Sequence, residues 1–470
     1  MTALAPDLCV IGAGAAGLAI AAGAAQMGAR VALIERGRMG GDCLNYGCIP
    51  SKSLLAAAKA AHAWRGAGEL GLLQSPPQVD FAAVMASVQQ VIARLAPNDS
   101  IERFETLGIR VIQAEARFVD PHTVQAGAIS VRPRRFVIAT GSAPVVPPLA
   151  GLDAVPFLTN ETVFDNDALP VHLIVIGGGP VGLELAQAHR RLGARVTVID
   201  AGPLLPRDDP ELAARLADRL ASEGIALRPS TAIAAVERLG ADIAVRLADG
   251  ERIVGSHLLL AAGRRPNLAA LDLAAAGIAA NETGIVVDRR LRTTNRRVFA
   301  IGDVVAGAPR FTHVALQHAG VVIRNALFRL PARVDYRALP WVTYTDPELA
   351  QVGLSERAAR AEGAQRVLRW SFADNDRAHT ERDTAGEVKI IVDRRGRILG
   401  ATILSAAAGD LILPWALAIS RRLRIGAMAN LVVPYPTRGD AGKRAAGEFY
   451  TPTLFGPLTR RLVRLLARFG

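Results

Sequence analysis

Two parallel, doubly wound α/β units and a C-terminal α+β domain are the architecture this sequence predicts, and three observations predict it. The chain has 470 residues, too long for one hydrophobic core and enough for about three domains of roughly 150 residues each. It carries an internal near-repeat, in which an apolar run, a glycine-rich turn, a helical stretch, a second apolar run and an acid occur once from residue 8 and again from residue 173. From about residue 340 the pattern changes to alternating segments, Trp341–Pro347 and Val388–Val392, of the kind that pair as antiparallel strands.

The composition narrows the function classes. Half of the residues are apolar and 21% are charged, which supports buried cores and excludes a disordered or fibrous chain. The formal charge is +12, but only Lys52, Lys59, Lys389 and Lys443 are lysines among 55 cations. Ten cations fall within residues 420–470 against Asp440 and Glu448 alone. The basic excess is therefore an arginine bias concentrated at the C-terminus, and no nucleic-acid partner is expected. Leu8–Ala29 is uncharged and long enough to be read as a membrane span. Its five glycines, Gly12, Gly14, Gly17, Gly23 and Gly28, argue against that, and Met1–Pro6 carries no basic leader. A cytoplasmic protein is expected.

The first copy of the repeat reads Leu8–Ile11, Gly12-Ala-Gly14-Ala-Ala-Gly17, a helix, then Val31–Ile34 and Glu35; the second reads Leu173–Ile176, Gly177-Gly-Gly179-Pro-Val-Gly182, a helix, then Val196–Ile199 and Asp200. In both, first glycine and acid are 23 residues apart. This is the Rossmann-like dinucleotide-binding pattern: the first glycine makes the tight turn, the second lets backbone approach a pyrophosphate, and the third seats helix on strand. The helix N-terminus faces the phosphates, and the acid accepts from a ribose hydroxyl. Two such sites in one chain point to FAD at the first and a nicotinamide nucleotide at the second. Asp200 favours NADH by repelling a 2′-phosphate, while Arg207 is compatible with either nucleotide. The expected division is 1–150 (FAD-binding, first part), 151–268 (NAD(P)-binding), 269–335 (FAD-binding, return), 336–450 (interface) and 451–470 (basic amphipathic helix).

Cys43 and Cys48 lie five residues apart, and Cys9 belongs to the first strand as core. A CxxxxC pair with no neighbouring Cys or His lacks two of four zinc ligands, and no metal site is expected. A reducing compartment disfavours a structural disulfide. A redox-active dithiol beside a flavin fits, with a helix expected to begin near Ser51 and the Lys52 cation both lowering the Cys48 pKa.

Gly40-Gly41-Asp42-Cys43-Leu-Asn-Tyr-Gly-Cys48-Ile-Pro-Ser-Lys52, with both glycine motifs, Ala139-Thr140-Gly141, Gly263-Arg-Arg-Pro-Asn267 and Ile301-Gly302-Asp303, resembles the class I pyridine nucleotide–disulfide oxidoreductases from about residue 7 to about 450. That resemblance implies a homodimer of FAD, NAD(P) and interface domains, each active site completed by the partner's C-terminal domain. It implies hydride transfer from NAD(P)H through FAD to a Cys43–Cys48 disulfide and on to a small-molecule or protein disulfide. Cys48 would be the flavin-side thiol, Cys43 the interchange thiol, and Lys52 and Glu184 an ion pair beside the flavin. Gly12, Gly14, Gly17, Glu35, Gly41, Lys52, Ala116, Thr140, Gly141, Gly302, Asp303 and Ala315 would hold FAD. Gly177, Gly179, Gly182, Glu184, Asp200 and Gly263 would hold the nicotinamide nucleotide.

One motif departs from the family. Where most members have His-Pro-Thr-x-x-Glu, this chain has Tyr435-Pro436-Thr437-Arg-Gly-Asp440, and no histidine follows His379. Tyr435 and Asp440 thus stand where a general acid/base pair is expected, and tyrosine is a poor base near pH 7. The mercuric reductases in the family are similar here, and metal-ion or quinone reduction is the alternative activity. With Cys43 and Cys48 alone, a soft metal would have two sulfurs. The tail from Thr459 sets Arg460, Arg461, Arg464 and Arg468 on one helical face and Leu462, Leu465, Leu466 and Phe469 on another. It suits peripheral membrane contact, as in a membrane-docked electron-transfer subunit, or packing on its own dimer.

Overall fold

In the computed structural model, which describes residues 2–72, 75, 77–361 and 366–469, the near-repeat folds as two parallel sheets. The chain lays down Leu8–Ile11 (β1), Val31–Glu35 (β2), Arg110–Gln113 (β3) and Arg135–Ile138 (β4). It leaves to build a second sheet from His172–Ile176 (β5), Arg195–Ile199 (β6), Ile225–Arg228 (β7) and His257–Leu260 (β8), then returns with Val298–Ala300 (β9). The orders are β9-β4-β1-β2-β3 and β7-β6-β5-β8. Successive residues of the first sheet face two separate cores: Val10, Leu33 and Val137 look one way, and Cys9, Ile34 and Ile138 the other. Burial on both faces is why these strands read as unbroken apolar runs.

Helix Ala15–Gln26 (α1) joins β1 to β2, and two further helices follow it, the short Gly41–Asn45 (α2) and Cys48–Gly66 (α3). The second sheet has Pro180–Leu192 (α4) in the place of α1. Pro210–Ser222 (α5) comes next, and Thr312–Ala326 (α6) packs on α1 after the return strand. The uncharged segment Leu8–Ala29, not expected to span a membrane, holds β1, a glycine turn and α1. No helix among the described residues is long and apolar enough to cross a membrane.

By internal contacts the chain divides into two units, Met1–Ala201 with Ile225–Val334, and Gly202–Gly224 with Asp335–Gly470. The second unit holds an antiparallel sheet of Pro340–Thr343 (β10), Glu348–Gly353 (β11), Arg366–Ser371 (β12), Glu387–Val392 (β13) and Ile398–Ser405 (β14), in the order β10-β11-β14-β13-β12. Gly439–Gly447 (α7) covers it. The tail is two short helices broken at Gly456, Thr451–Leu454 and Pro457–Leu466 (α8).

Segment 202–224, read from sequence as part of the nucleotide-binding domain, lies in the C-terminal unit. α5 buries Leu212, Ala213, Leu216 and Leu220 and packs on β11 and β14, and an ion cluster fastens it there. Asp209 caps α5 by accepting from the Glu211 and Leu212 backbone N–H groups. Its other carboxylate oxygen receives the Lys389 ammonium from β13 at 2.8 Å, with both side chains essentially buried. Lys389 also reaches Glu356 at 2.6 Å and Glu211 at 3.2 Å, and Arg369 bridges Glu211 and Glu387. Burial pushes the Lys389 pKa down, but the hydrogen bonds it donates to Asp209 and Glu356 outweigh it and hold the ammonium above its ordinary value. The Arg369 hydrogen bond, then that of Lys389, takes Glu211 down to about 2.

Lys389→Met should therefore leave Asp209 as a buried unpaired carboxylate and cost about 3–5 kcal/mol in urea unfolding. Glu211 has a depressed folded pKa, so its contribution is complete above the ordinary carboxylate value and disappears as pH falls towards about 2. Unfolding midpoints that are flat across acid pH, or a silent Lys389→Met, would show that the cluster carries no stability.

Candidate active site

The two cysteines are placed by the first glycine loop. Gly40 and Gly41 both have positive φ, 87° and 58°, and the Gly40 N–H donates to Ala13 O at 3.0 Å. A Cβ on Gly41 would meet Gly14 Cα at 2.6 Å. Backbone therefore lies directly on backbone, and α2 with Cys43 starts from the dinucleotide loop itself. Cys48 is the first residue of α3, three positions before the expected start at Ser51. The first turn is closed at Gly47 O, which accepts from the Ser51 backbone N–H and from Ser51 Oγ at 2.6 Å. Pro50 fits inside that turn because its missing N–H is one the helix leaves unpaired anyway.

Cys43 and Cys48 are both free thiols, hydrogen-bonded to each other, with Cys43 half-buried and Cys48 exposed. Thr312, the first residue of α6, brings its hydroxyl to 3.5 Å from Cys48 Sγ. The dithiol thus stands at the N-termini of two long helices, where the positive dipole ends favour a thiolate. The hydrogen bond from Cys43 brings the Cys48 pKa down to about 6, aided by Thr312 and the Lys52 charge and opposed by burial and Asp42. Cys43 moves the other way, held up by that same hydrogen bond, by burial and by the Cys48 charge. Lys52, one turn along α3, is paired with Glu184 of α4 at 2.7 Å.

Asp42 is quieted by a network that the sequence did not reveal. Arg264 Nη2 lies 3.0 Å from Asp42 Oδ1, and Asn160 Nδ2 donates to the same oxygen at 3.0 Å. Arg264 also donates to Ser142 Oγ at 2.8 Å and to Asn160 Oδ1 at 3.2 Å. Ser142 Oγ in turn donates to Asp303 Oδ2 at 2.7 Å. Residues Arg264–Pro266 and Ser142–Pro144 pair as short antiparallel strands, which brings the Thr140-Gly141 and Gly263 motifs together. Thr140 Oγ1 donates to Asn267 O, and Asn267 Nδ2 donates back to Thr140 O.

The remaining expected residues fall around the two loops. Glu35 accepts from the Ala13 and Gly37 N–H groups, and Asp200 accepts from the Gly178 N–H at 2.6 Å, so each acid closes on its own loop. A Cβ on Gly302 would touch Ala16 and Ala315, which brings Ala315 to the first loop's helix. The Gly302 N–H donates to Nδ1 of His318, whose burial takes its pKa down to about 4 and keeps it neutral. Ala116 starts a strand with its side chain in the core, so only its backbone is open to a ligand. Tyr435 and Asp440 belong to the other unit, and there the expected pair is not bonded. Tyr435 Oη donates to Asp376 Oδ2 at 2.7 Å, and Asp440 pairs with Arg444. Asp376 raises the Tyr435 pKa further.

Residues 6–319 match the pyridine nucleotide-disulphide oxidoreductase family, and residues 339–446 match its dimerisation domain. The chain belongs to this family. It is 39% identical to a mercuric reductase of Streptomyces lividans, over 94% of this chain and 96% of that protein. It is 34% identical to a dihydrolipoyl dehydrogenase of Geobacillus stearothermophilus over the same shares. The crystal structure of LpdA from Mycobacterium tuberculosis superimposes with a TM-score of 0.87 at 28% identity, covering 96% of this chain and all of that one. The Cu(II) complex of the HOCl-induced flavoprotein disulfide reductase RclA from Escherichia coli gives 0.85 at 29% identity, covering 93% and 98%. The protein is accordingly a flavin-dependent pyridine nucleotide–disulfide oxidoreductase that uses FAD and NAD(P)H, and its dimerisation domain supports a homodimer.

The loops fit those dinucleotides. At the first and third glycines the chain itself forbids a side chain: a Cβ on Gly12 or Gly177 would strike the Ala139 or Ala261 carbonyl, and one on Gly17 or Gly182 would strike the first glycine's carbonyl. At the second glycine nothing in the chain forbids it. A Cβ on Gly14 would approach only Gly41 Cα at 3.9 Å, and one on Gly179 meets nothing within 4 Å. The space is kept for something other than protein, as a pyrophosphate cradle requires.

Gly179→Ala should therefore leave the melting temperature unchanged and weaken NADH binding by calorimetry about tenfold, whereas Gly182→Ala should cost about 1–3 kcal/mol of stability. Equal effects of the two on stability would remove the cradle argument.

Proposed function

We propose that this protein is an NADH-dependent disulfide reductase whose Cys43–Cys48 pair carries the electrons to a small-molecule or protein disulfide. The observation that carries the reading is a pair of free thiols, with Cys48 opening α3 within reach of the Thr312 hydroxyl and one turn from the Lys52–Glu184 pair. Bound FAD supplies hydride transfer between NADH and the dithiol. Overall, NADH, a proton and RSSR become NAD⁺ and two RSH.

The chain's own residues divide the remaining work. Cys48, the exposed member, has the open face a flavin ring needs, and Lys52, fixed by Glu184, holds positive charge beside it. As Cys43 attacks a substrate sulfur, its proton passes along the hydrogen bond between the two thiols to Cys48; the S–S bond breaks, one half leaves as thiolate and takes that proton, and a mixed disulfide forms on Cys43. Attack by the Cys48 thiolate on that bond releases the second half and restores the Cys43–Cys48 disulfide. Tyr435 remains a phenol, so it can protonate a leaving thiolate but cannot deprotonate Cys43. Asp200 favours NADH by its charge.

A second reading has Hg(II) or another soft metal ion as substrate on the two sulfurs. It is favoured by the mercuric reductase relatives and by a thiolate that forms near pH 6. Among the described residues no cluster of three His, Cys, Asp or Glu could hold such an ion elsewhere. NADH oxidation by the purified holoenzyme with lipoamide, glutathione disulfide, Hg(II) and quinones separates the readings. Turnover of a disulfide supports the first, and turnover of Hg(II) alone supports the second.

Two spectroscopic outcomes follow from the thiol assignment. The two-electron-reduced enzyme should show a long-wavelength thiolate–flavin band that Cys48→Ser abolishes and Cys43→Ser retains even without reductant; the reverse pattern would invert the two roles. Arg264→Ala should expose Cys48 to the Asp42 charge and raise the pH midpoint of that band by roughly one unit, and adding Asp42→Asn should bring it back. A midpoint that stays raised in the double variant would mean that Arg264 acts through structure rather than charge.

A further inference from the structure

The last helix, α8, has no part in the activity above. Its apolar side chains Leu458, Leu462, Leu465 and Leu466, with Phe469 in the turn that follows, are each between 50% and 80% exposed. At 100° per residue they fall within an arc of about 100°. Arg460, Arg461, Arg464 and Arg468 occupy a second arc of about the same width, and none of the four is in an ion pair among the described residues. No acid occurs after Glu448. The helix is nonetheless built, not frayed: Gly456 opens it, Thr459 Oγ1 donates back to Thr453 O at 2.7 Å, and Pro457 stands at its first position.

The matched dimerisation domain ends at residue 446, before this helix begins. Pairing of the helix with its own copy about a twofold axis would bring two sets of four arginines together with no acid nearby to meet them. The partner must offer apolar depth and negative charge along the same line, 10 residues or about 15 Å long. We propose that α8 is a docking helix that lays its leucine face into the headgroup layer of an anionic bilayer, with its arginines on lipid phosphates. Burying those leucines gives depth, long arginine side chains reach the phosphates from the helix flank, and either alone is too weak to hold the enzyme.

Co-sedimentation of the FAD-loaded protein with vesicles of phosphatidylglycerol and phosphatidylcholine tests it. The enzyme should partition onto the anionic vesicles and not onto pure phosphatidylcholine, and 0.5 M salt should release most of it, as about a 4–5 Å screening length predicts. Arg461→Gln with Arg464→Gln should weaken partitioning about thirtyfold. Leu462→Asp with Leu466→Asp should abolish it, and disulfide turnover and melting temperature should stay at wild-type values in both because these side chains are exposed. Equal binding to both vesicle types, binding retained by the leucine variant, or no binding at all would overturn the proposal. So would a leucine variant that turns the dimer into monomer on sedimentation, because the face would then belong to a second copy of the chain.

Discussion

Backbone crossing backbone, at Gly17 over Gly12 and at Gly182 over Gly177, is the constraint on which the rest of this molecule rests. Neither crossing admits a single extra carbon. Each seats the first turn of a helix on the end of a buried strand and so aims that helix's N–H groups at the loop mouth. The consequence reaches beyond the dinucleotides. Gly41 lies on Gly14 in the same close manner and Gly40 is bridged to it, so the cysteine segment inherits its position from the first turn.

The chemistry of the dithiol is then a contest among fixed charges. The Cys43 hydrogen bond, the Thr312 hydroxyl and Lys52 pull Cys48 towards thiolate, while burial and Asp42 oppose them. Asp42 would be a poor neighbour for a thiolate if left alone. Arg264 and Asn160 absorb its charge, and the same arginine holds Ser142, which holds Asp303. One cation therefore links the cysteine helix to the return segment of the first sheet. Tyr435 is settled by a carboxylate in the opposite sense, kept protonated by Asp376.

The sequence is most readable where a residue's role depends on neighbours close along the chain. The glycine turns, the acids 23 residues on, Cys9 as core and the first sheet's return strand all follow from local pattern. The Lys52–Glu184 pair, 132 residues apart, came only through family resemblance. Thr312, Arg264, Asn160 and Asp376 were missed because their partners lie 59 to 264 residues away. The one available signal was that Thr312 opens a helix and Arg264 follows a motif glycine. The α3 start was misplaced for a physical reason: Pro50 looks like a boundary in sequence but is tolerated inside a first turn.

Segment 202–224 has a consequence for how such a chain can be rearranged. It is framed by strands of the second sheet, yet its helix is fastened by Lys389, Arg369 and Arg215 to the C-terminal unit. A cut at the linear boundary near residue 335 would divide Asp209 and Glu211 from their cations and leave the buried Asp209 carboxylate unpaired on the longer fragment. The two halves are therefore not interchangeable cassettes. Exchange of the C-terminal half with a relative succeeds in this geometry only when α5 travels with it, so the unit of inheritance is discontinuous although the gene is not.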